Sequence, residues 1–295
     1  MTFFQALLSS ALLQMALLAC IGASFASGFL GPFVVVKRIV AISGSIAHSV
    51  LGGLGCALWL SRTYNLDWLH PIYGAFIASL ISSALIGYVH LYHSQREDSV
   101  IAMIWSIGMA TGVIFASQTP GFNVELMNFL LGNVLWVSKA DLTILFALDA
   151  IIIGIVLLNY KQFVALCFDE KQARLQGLNT TKLYFLLLAL IALSVVLLIH
   201  TVGIILVLSM LVLPASIAEK LTFRLGKIIG ISIALNMLFS LGGLALSYHL
   251  DWPAGATISL FAGGIYLLSL RFKRAISFSI PSPVSAEIET VSKRG

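Results

Sequence analysis

Charge is scarce in this chain. Only 10% of its 295 residues are Asp, Glu, Lys or Arg, while 59% are hydrophobic. A soluble domain carries roughly 25% charge, and the mean hydropathy here is +1.02. These values exclude a water-soluble globular chain and leave an all-α polytopic membrane protein with no break between domains. Acids are scarcer still inside the apolar runs, where Asp149 is the clear exception. A gradient-driven transporter would need buried carboxylates or broken helices at the midplane. Asp149 could pair across the bundle or hold a proton. The three cysteines, Cys20, Cys56 and Cys167, form no CxxC pair. They read as small hydrophobes rather than as a disulfide or a thiolate metal site. No GxxxxGK[ST] loop is present to cradle ATP phosphates. No histidine is followed by glutamate and no GxSxG occurs, which argues against an intramembrane protease or hydrolase. No positive charge precedes Lys37. The basic start of a cleaved signal peptide is therefore missing, and the first apolar run is expected to be retained. The net charge of +5 is no nucleic-acid signal, because the basic residues sit in short loops between apolar runs.

Apolar length is what the chain has in abundance. A membrane-spanning helix needs about 20 such residues. Nine runs qualify: 5–32, 43–61, 71–91, 99–117, 141–160, 182–199, 202–218, 228–249 and 254–270. Eight spans is the alternative if one early run does not cross. The segment 126–137, with Asn128, Gly132 and Asn133, is too short and reads as an interfacial or re-entrant helix. Lys37, Arg38, Arg96, Lys161, Lys171, Arg174, Lys182, Lys220, Arg224, Lys227, Arg271, Lys273 and Arg274 all follow odd-numbered runs. That asymmetry places the odd gaps in the cytoplasm, the N-terminus outside and the C-terminus inside. The transmembrane domain takes residues 1–275, with a cytoplasmic segment at about 168–180. Residues 276–295, rich in Ser, Pro and charge, read as a mobile cytoplasmic tail.

The stretch 42–55, ISGSIAHSVLGGLG, is the most informative. Gly44, His48 and Gly52 recur every four residues and share one face of a helix, with Ser45, Ser49 and Gly53 beside them. Small residues allow close approach of a second helix, and an ionisable group at membrane depth must face protein or a wet cavity. Neutral imidazole is also a ligand for zinc, manganese or iron. Two readings follow: the face lines a metal path, or His48 is a packed histidine bonded to a neighbouring carbonyl. His90 and His93, three apart, share a helix face as an exit site or as snorkelling side chains. Asp98 is expected to cap the fourth span. His70, His200 and His249, with Asp67, Glu125 and Asp251, fall in outer loops, where they attract cations or are simply solvated. Pro214 interrupts the seventh span and removes a backbone donor. Gly203 is expected to open that span.

The longest polar interruption is 168–182, FDEKQARLQGLNTTK. Asp169 can cap a short helix, with Gln172 in the capping-box position and Gly177 as its stop. Its charge and length suit docking to a soluble partner, or an ordinary connecting loop.

In this order, GFLGPFVVVKRIVAISGSIAHSVLGG (28–53), REDSVIAMIWSIGMATGV (96–113), FLLGNVLWVSKADL (129–142), FDEKQARLQGL (168–178), TVGIILVLSMLVLPASIAEKL (201–221) and GGLALSYHLDWPAGATI (242–258) resemble the membrane subunits of zinc/manganese/iron ABC transporters. The resemblance implies a permease built like vitamin B12 and metal importers, working as a homodimer. It implies separate cytoplasmic ABC ATPase subunits that hydrolyse ATP and an extracytoplasmic metal-binding protein that delivers the cargo. It implies no cofactor bound by this chain, no enzymatic activity of its own and no nucleic-acid partner. The implied cargo is a divalent transition metal, zinc first, then manganese or iron. A chelated metal such as a siderophore, or gradient-driven transport, is the alternative. His48 would line the translocation path, and Asp169, Glu170, Arg174 and Gly177 would form the coupling segment. The family often carries Asp four residues before this histidine; here that position is Gly44, which removes the obvious co-ligand of His48.

Overall fold

The computed structural model describes residues 3–93, 97–120 and 134–271, and they are helical throughout, apart from turns and short connections. In chain order the helices are α1 (Phe3–Ser9), α2 (Ala11–Val36), α3 (Val40–Tyr64), α4 (Pro71–Tyr92), α5 (Glu97–Gln118), α6 (Lys139–Leu158), α7 (Tyr160–Phe168), α8 (Glu170–Leu175), α9 (Thr180–Val202), α10 (Ile204–Leu221), α11 (Leu225–Leu250) and α12 (Ala254–Ser269). A single 3₁₀ turn, Val134–Trp136, precedes α6. Eight of these, α2–α6 and α9–α11, are long and apolar enough to cross a membrane. At 16 residues α12 is about 24 Å long, short of a roughly 30 Å hydrocarbon core. It nonetheless runs beside α10 in the same direction, because Ser259 Oγ meets the Ile205 carbonyl at 3.4 Å and Lys220 Nζ meets Ser269 Oγ at 3.2 Å.

Local chemistry sets most helix ends. His70 caps α4, accepting from the Ile72 N–H, and Pro71 opens the helix where no donor is missed. Ser138 and Asp141 form a reciprocal capping box at α6. Gly203 joins α9 to α10 alone, at φ 85° and ψ 161°, a conformation that glycine adopts without a Cβ penalty.

The connections fall into two sets. Lys37 meets Glu170, His90 meets Glu97, and Lys220 meets Ser269 at the end we label inner. Arg62 Nη1 reaches the Pro120 carbonyl and His200 lies 4.0 Å from Asp141 at the outer end. The Lys/Arg asymmetry predicts the same partition and places the inner set in the cytoplasm as an expectation.

Gly203 opens α10 as its N-cap, as expected, directly behind α9. Three expectations change. The first run is broken at Ser10, whose extended backbone separates α1 from α2, and α2 continues to Val36. Asp98 sits within the first turn of α5, after Glu97, so it adds charge at the helix start without being its cap. Between the fifth span and the polar segment lies an additional helix, α7, which buries Phe163 and Leu166. The segment 126–137 is described only from Val134; its earlier part, Arg96, Glu125 and the tail 276–295 lie outside the described residues.

Helices α2, α3 and α9 form the interior, 72% buried along their most apolar stretch, against 22–28% for α4, α5 and α6. The interior is filled by Tyr184, Phe33, Phe163 and the aliphatic side chains around them.

Candidate functional site

The middle of α3 is held by two neighbours. Built Cβ atoms on Gly53 and Gly74 would each stand 2.2 Å from the other glycine's carbonyl oxygen, so α3 and α4 touch backbone to backbone. On the other side, a Cβ on Gly52 would lie 2.4 Å from Thr111 Oγ1 and 2.8 Å from the Gly108 carbonyl of α5. Ser45 Oγ adds a bond to the Ile101 carbonyl at 2.9 Å. The small residues are thus the contact surface of three helices, as small-residue stripes are in bilayers.

His48 lies on the α5 side of this packing and is half-buried. Its ring is stacked on the Trp105 indole, centroids 4.2 Å apart and planes 15° from parallel. The bulk over the imidazole therefore comes from α5 and not from α3 itself. Among the described residues no hydrogen bond or ion pair reaches the His48 nitrogens. The packing against a neighbour is present, while among the described residues the bond to a carbonyl is not. Trp105 spends its own N–H on Met109 Sδ at 3.3 Å. At Gly44 there is room: a Cβ there would stand 3.6 Å from Trp105 and 4.0 Å from Leu208 of α10. Gly44 and Gly52 flank His48 on one stripe, yet only Gly52 is sterically compelled.

Among the described residues, no group of three or more His, Cys, Asp or Glu comes together to hold an ion.

The remaining candidates separate. His90 Nδ1 lies 2.8 Å from Glu97 Oε2, and its ring stacks on Tyr184 at 4.5 Å. His93 is exposed at the end of α4, near the Tyr88 ring, so the two histidines do not share a site. Asp149 is buried in α6, and among the described residues neither carboxylate oxygen has a hydrogen-bond partner. Pro214 leaves the Met210 carbonyl, four residues earlier, without its helical donor. Asn236 Nδ2 of α11 takes that place, donating to Met210 O and to Ser27 Oγ, each at 3.1 Å. Asn236 was not legible as a partner, since only the fold brings α11 to the proline.

The polar segment forms the expected capped helix. Asp169 accepts from the Gln172 N–H at 2.9 Å, and Gly177 ends the turn at φ 83°. Lys171 and Arg174 are exposed, as is Leu175 at 88%. Glu170 turns the other way, into an ion pair with Lys37 at 2.6 Å.

Comparison with known proteins adds the following. The model of the ABC 3 transport family matches residues 9–273. A "probable metal transport system membrane protein" of Chlamydia pneumoniae is 49% identical over 273 residues, 92% of this chain and 93% of its own length. The manganese transport system membrane protein MntC of Halalkalibacterium halodurans is 30% identical over 270 residues, 92% of this chain and 90% of that one. Among solved structures, PsaBC from Streptococcus pneumoniae in complex with Fab superposes with a TM-score of 0.79 at 26% identity, covering 97% of this chain and 98% of that one.

Proposed function

The chain belongs to the ABC 3 transport family, and from that membership we propose that it is the membrane-spanning permease of an ATP-driven importer for a divalent transition metal. It is a multi-pass protein of a bacterial membrane, and its role is transport rather than enzymatic catalysis. ATP is bound and hydrolysed by separate subunits docked at the inner end around α8, whose exposed Lys171, Arg174 and Leu175 offer charge and an apolar contact. A metal-binding protein delivers the cargo at the outer end.

The observation that carries this reading is His48. It is an imidazole at membrane depth, half-buried, stacked on Trp105, with no partner among the described residues for its nitrogens. An unpaired polar ring facing lipid is costly, so protein or a wet path must meet it. The exposed Trp105 and Met109, one turn apart on α5, leave this flank uncovered by the chain's own helices. A second copy facing it would add the imidazole that one chain lacks. Zinc, manganese and iron are the cargo candidates. The imidazole without a carboxylate supports zinc, and the relatives named for manganese support manganese. Uptake of labelled zinc and manganese into proteoliposomes, with and without ATP, tests the reading. His48→Leu should bring uptake to background at equal permease abundance. His48→Asp should restore part of it, with preference moved towards manganese. Wild-type uptake by His48→Leu, at unchanged preference, would return His48 to a packing role.

A further inference from the structure

We propose that the Lys37–Glu170 ion pair is the joint through which α8 moves the turn between α2 and α3, and with it the helix that carries His48. This rests on the permease reading above and assigns a positioning role to Lys37, which the sequence offered only as a mark of orientation.

Lys37 is the C-cap of α2, its N–H bonded to the carbonyls of Phe33 and Val35. Its Nζ donates both to Glu170 Oε2 at 2.6 Å and to the Leu166 carbonyl at 3.1 Å. One ammonium therefore grips the last turn of α7 and the first turn of α8 together. The same Nζ stands 5.9 Å from the centroid of the fully buried Tyr184 ring. The Lys37 side chain is 12% exposed and Glu170 32%, so the pair is partly desolvated, and losing either partner strands a charge. An exposed pair would be screened and nearly without effect.

The other charges of the segment point elsewhere. Asp169 is committed to the helix cap, while Lys171 and Arg174 face outwards. Among the described residues, Glu170 makes the one ion pair between α8 and a membrane-crossing helix. On the other side of the joint, Arg38 is held at φ 61°, an uncommon conformation for a residue with a side chain. It leads within two residues into α3, where Val40 begins the helix and His48 follows two turns later. Displacement of α8 by an attached subunit is thus passed by ionic contact to a turn with little backbone freedom, and from there along a rigid helix. Contiguous contacts of this kind are the physical carrier of coupling between distant sites.

The test uses the complete transporter, permease with its ATPase subunits, in proteoliposomes. Zinc or manganese uptake and phosphate release are measured together, and their ratio is the readout. Lys37→Met and Glu170→Gln should each lower the metal moved per phosphate released by about fivefold or more. Lys37→Arg should keep most of it. The reversed pair, Lys37→Glu with Glu170→Lys, should recover coupling lost in either single reversal. A purely structural role would lower both quantities through abundance and leave their ratio unchanged. Wild-type ratios in both Lys37→Met and Glu170→Gln would overturn the proposal. If Lys37→Met does not assemble, the reversed pair decides: an assembled double variant coupled no better than the single reversals also overturns it. A wild-type complex that moves no metal would instead sink the permease reading, so the two failures are distinguishable.

Discussion

His48 and His90 each lie flat against an aromatic ring, at 4.2 Å from Trp105 and 4.5 Å from Tyr184. His90 sits at the inner end of α4, where Glu97 reaches its Nδ1 at 2.8 Å. His48 sits in the middle of α3, where among the described residues no acid pairs with it, and glycine stands one turn before it. The difference follows from depth. Near the membrane surface water helps to solvate a carboxylate, whereas in the bilayer centre the same group is expensive. The inner histidine is satisfied by its own chain. The central one has no such partner among the described residues.

The sharpest way to break this comparison is at the two glycines flanking His48. Gly52→Ala should lower stability by about 1–3 kcal/mol, because its Cβ meets Thr111 and the Gly108 backbone with no flexible neighbour to yield. Gly44→Ala should be neutral or slightly stabilising, since its space is open and alanine is the better helix former. Thermal melting of the purified permease in detergent checks both, and equal losses would show that the whole stripe is packing surface. Next in size is Gly44→Asp, which gives His48 the acid that His90 already has. Uptake competition should then move towards manganese by about tenfold, the effect of roughly 1.4 kcal/mol of differential binding. An unchanged preference would place the cargo elsewhere. Smaller again is His90→Gln. The His90–Glu97 contact, 25% and 23% exposed, lies at the inner end away from His48, so uptake should stay within about twofold of wild type. A loss as large as that of His48→Leu would make His90 part of the path.

The smallest effect concerns Cys167 in α7, beside Lys37. Burial pushes its thiol up to about 12, only partly offset by the Lys37 charge. The thiolate is the reactive form, so Cys167 should resist a water-soluble maleimide at neutral pH and become reactive only as pH climbs towards that value. Rapid labelling at pH 7 would show that the α7–α8 elbow is open.

Much of this was readable before any fold was known, and residues show where reading stopped. The capping role of Asp169 and the stop at Gly177 involve partners three or four residues away, so local chemistry was sufficient. Glu170 was placed in the same segment, but its partner lies 133 residues earlier in the chain. Helix α7 escaped notice because its apolar residues follow directly on a span, although Phe163 and Leu166 are spaced to share one face. His90 and His93 have helical spacing for a joint site, yet the end of α4 falls between them.

By itself the sequence determined that the chain lives in a membrane, which apolar stretches become its helices to within a turn or two, which connections share an end and which short helix is capped. Hydropathy, basic residues and bonds to near neighbours act over a turn or a span, and their outcome needs no knowledge of the fold. Only the tertiary structure decided which glycine is compelled and which is free. It alone covered His48 with Trp105, turned Glu170 to Lys37 and brought Asn236 to the carbonyl that Pro214 leaves without a donor. Each of those depends on which helix stands opposite. The stripe Gly44, His48, Gly52 looks the same from either side until α5 and α10 take their places against it.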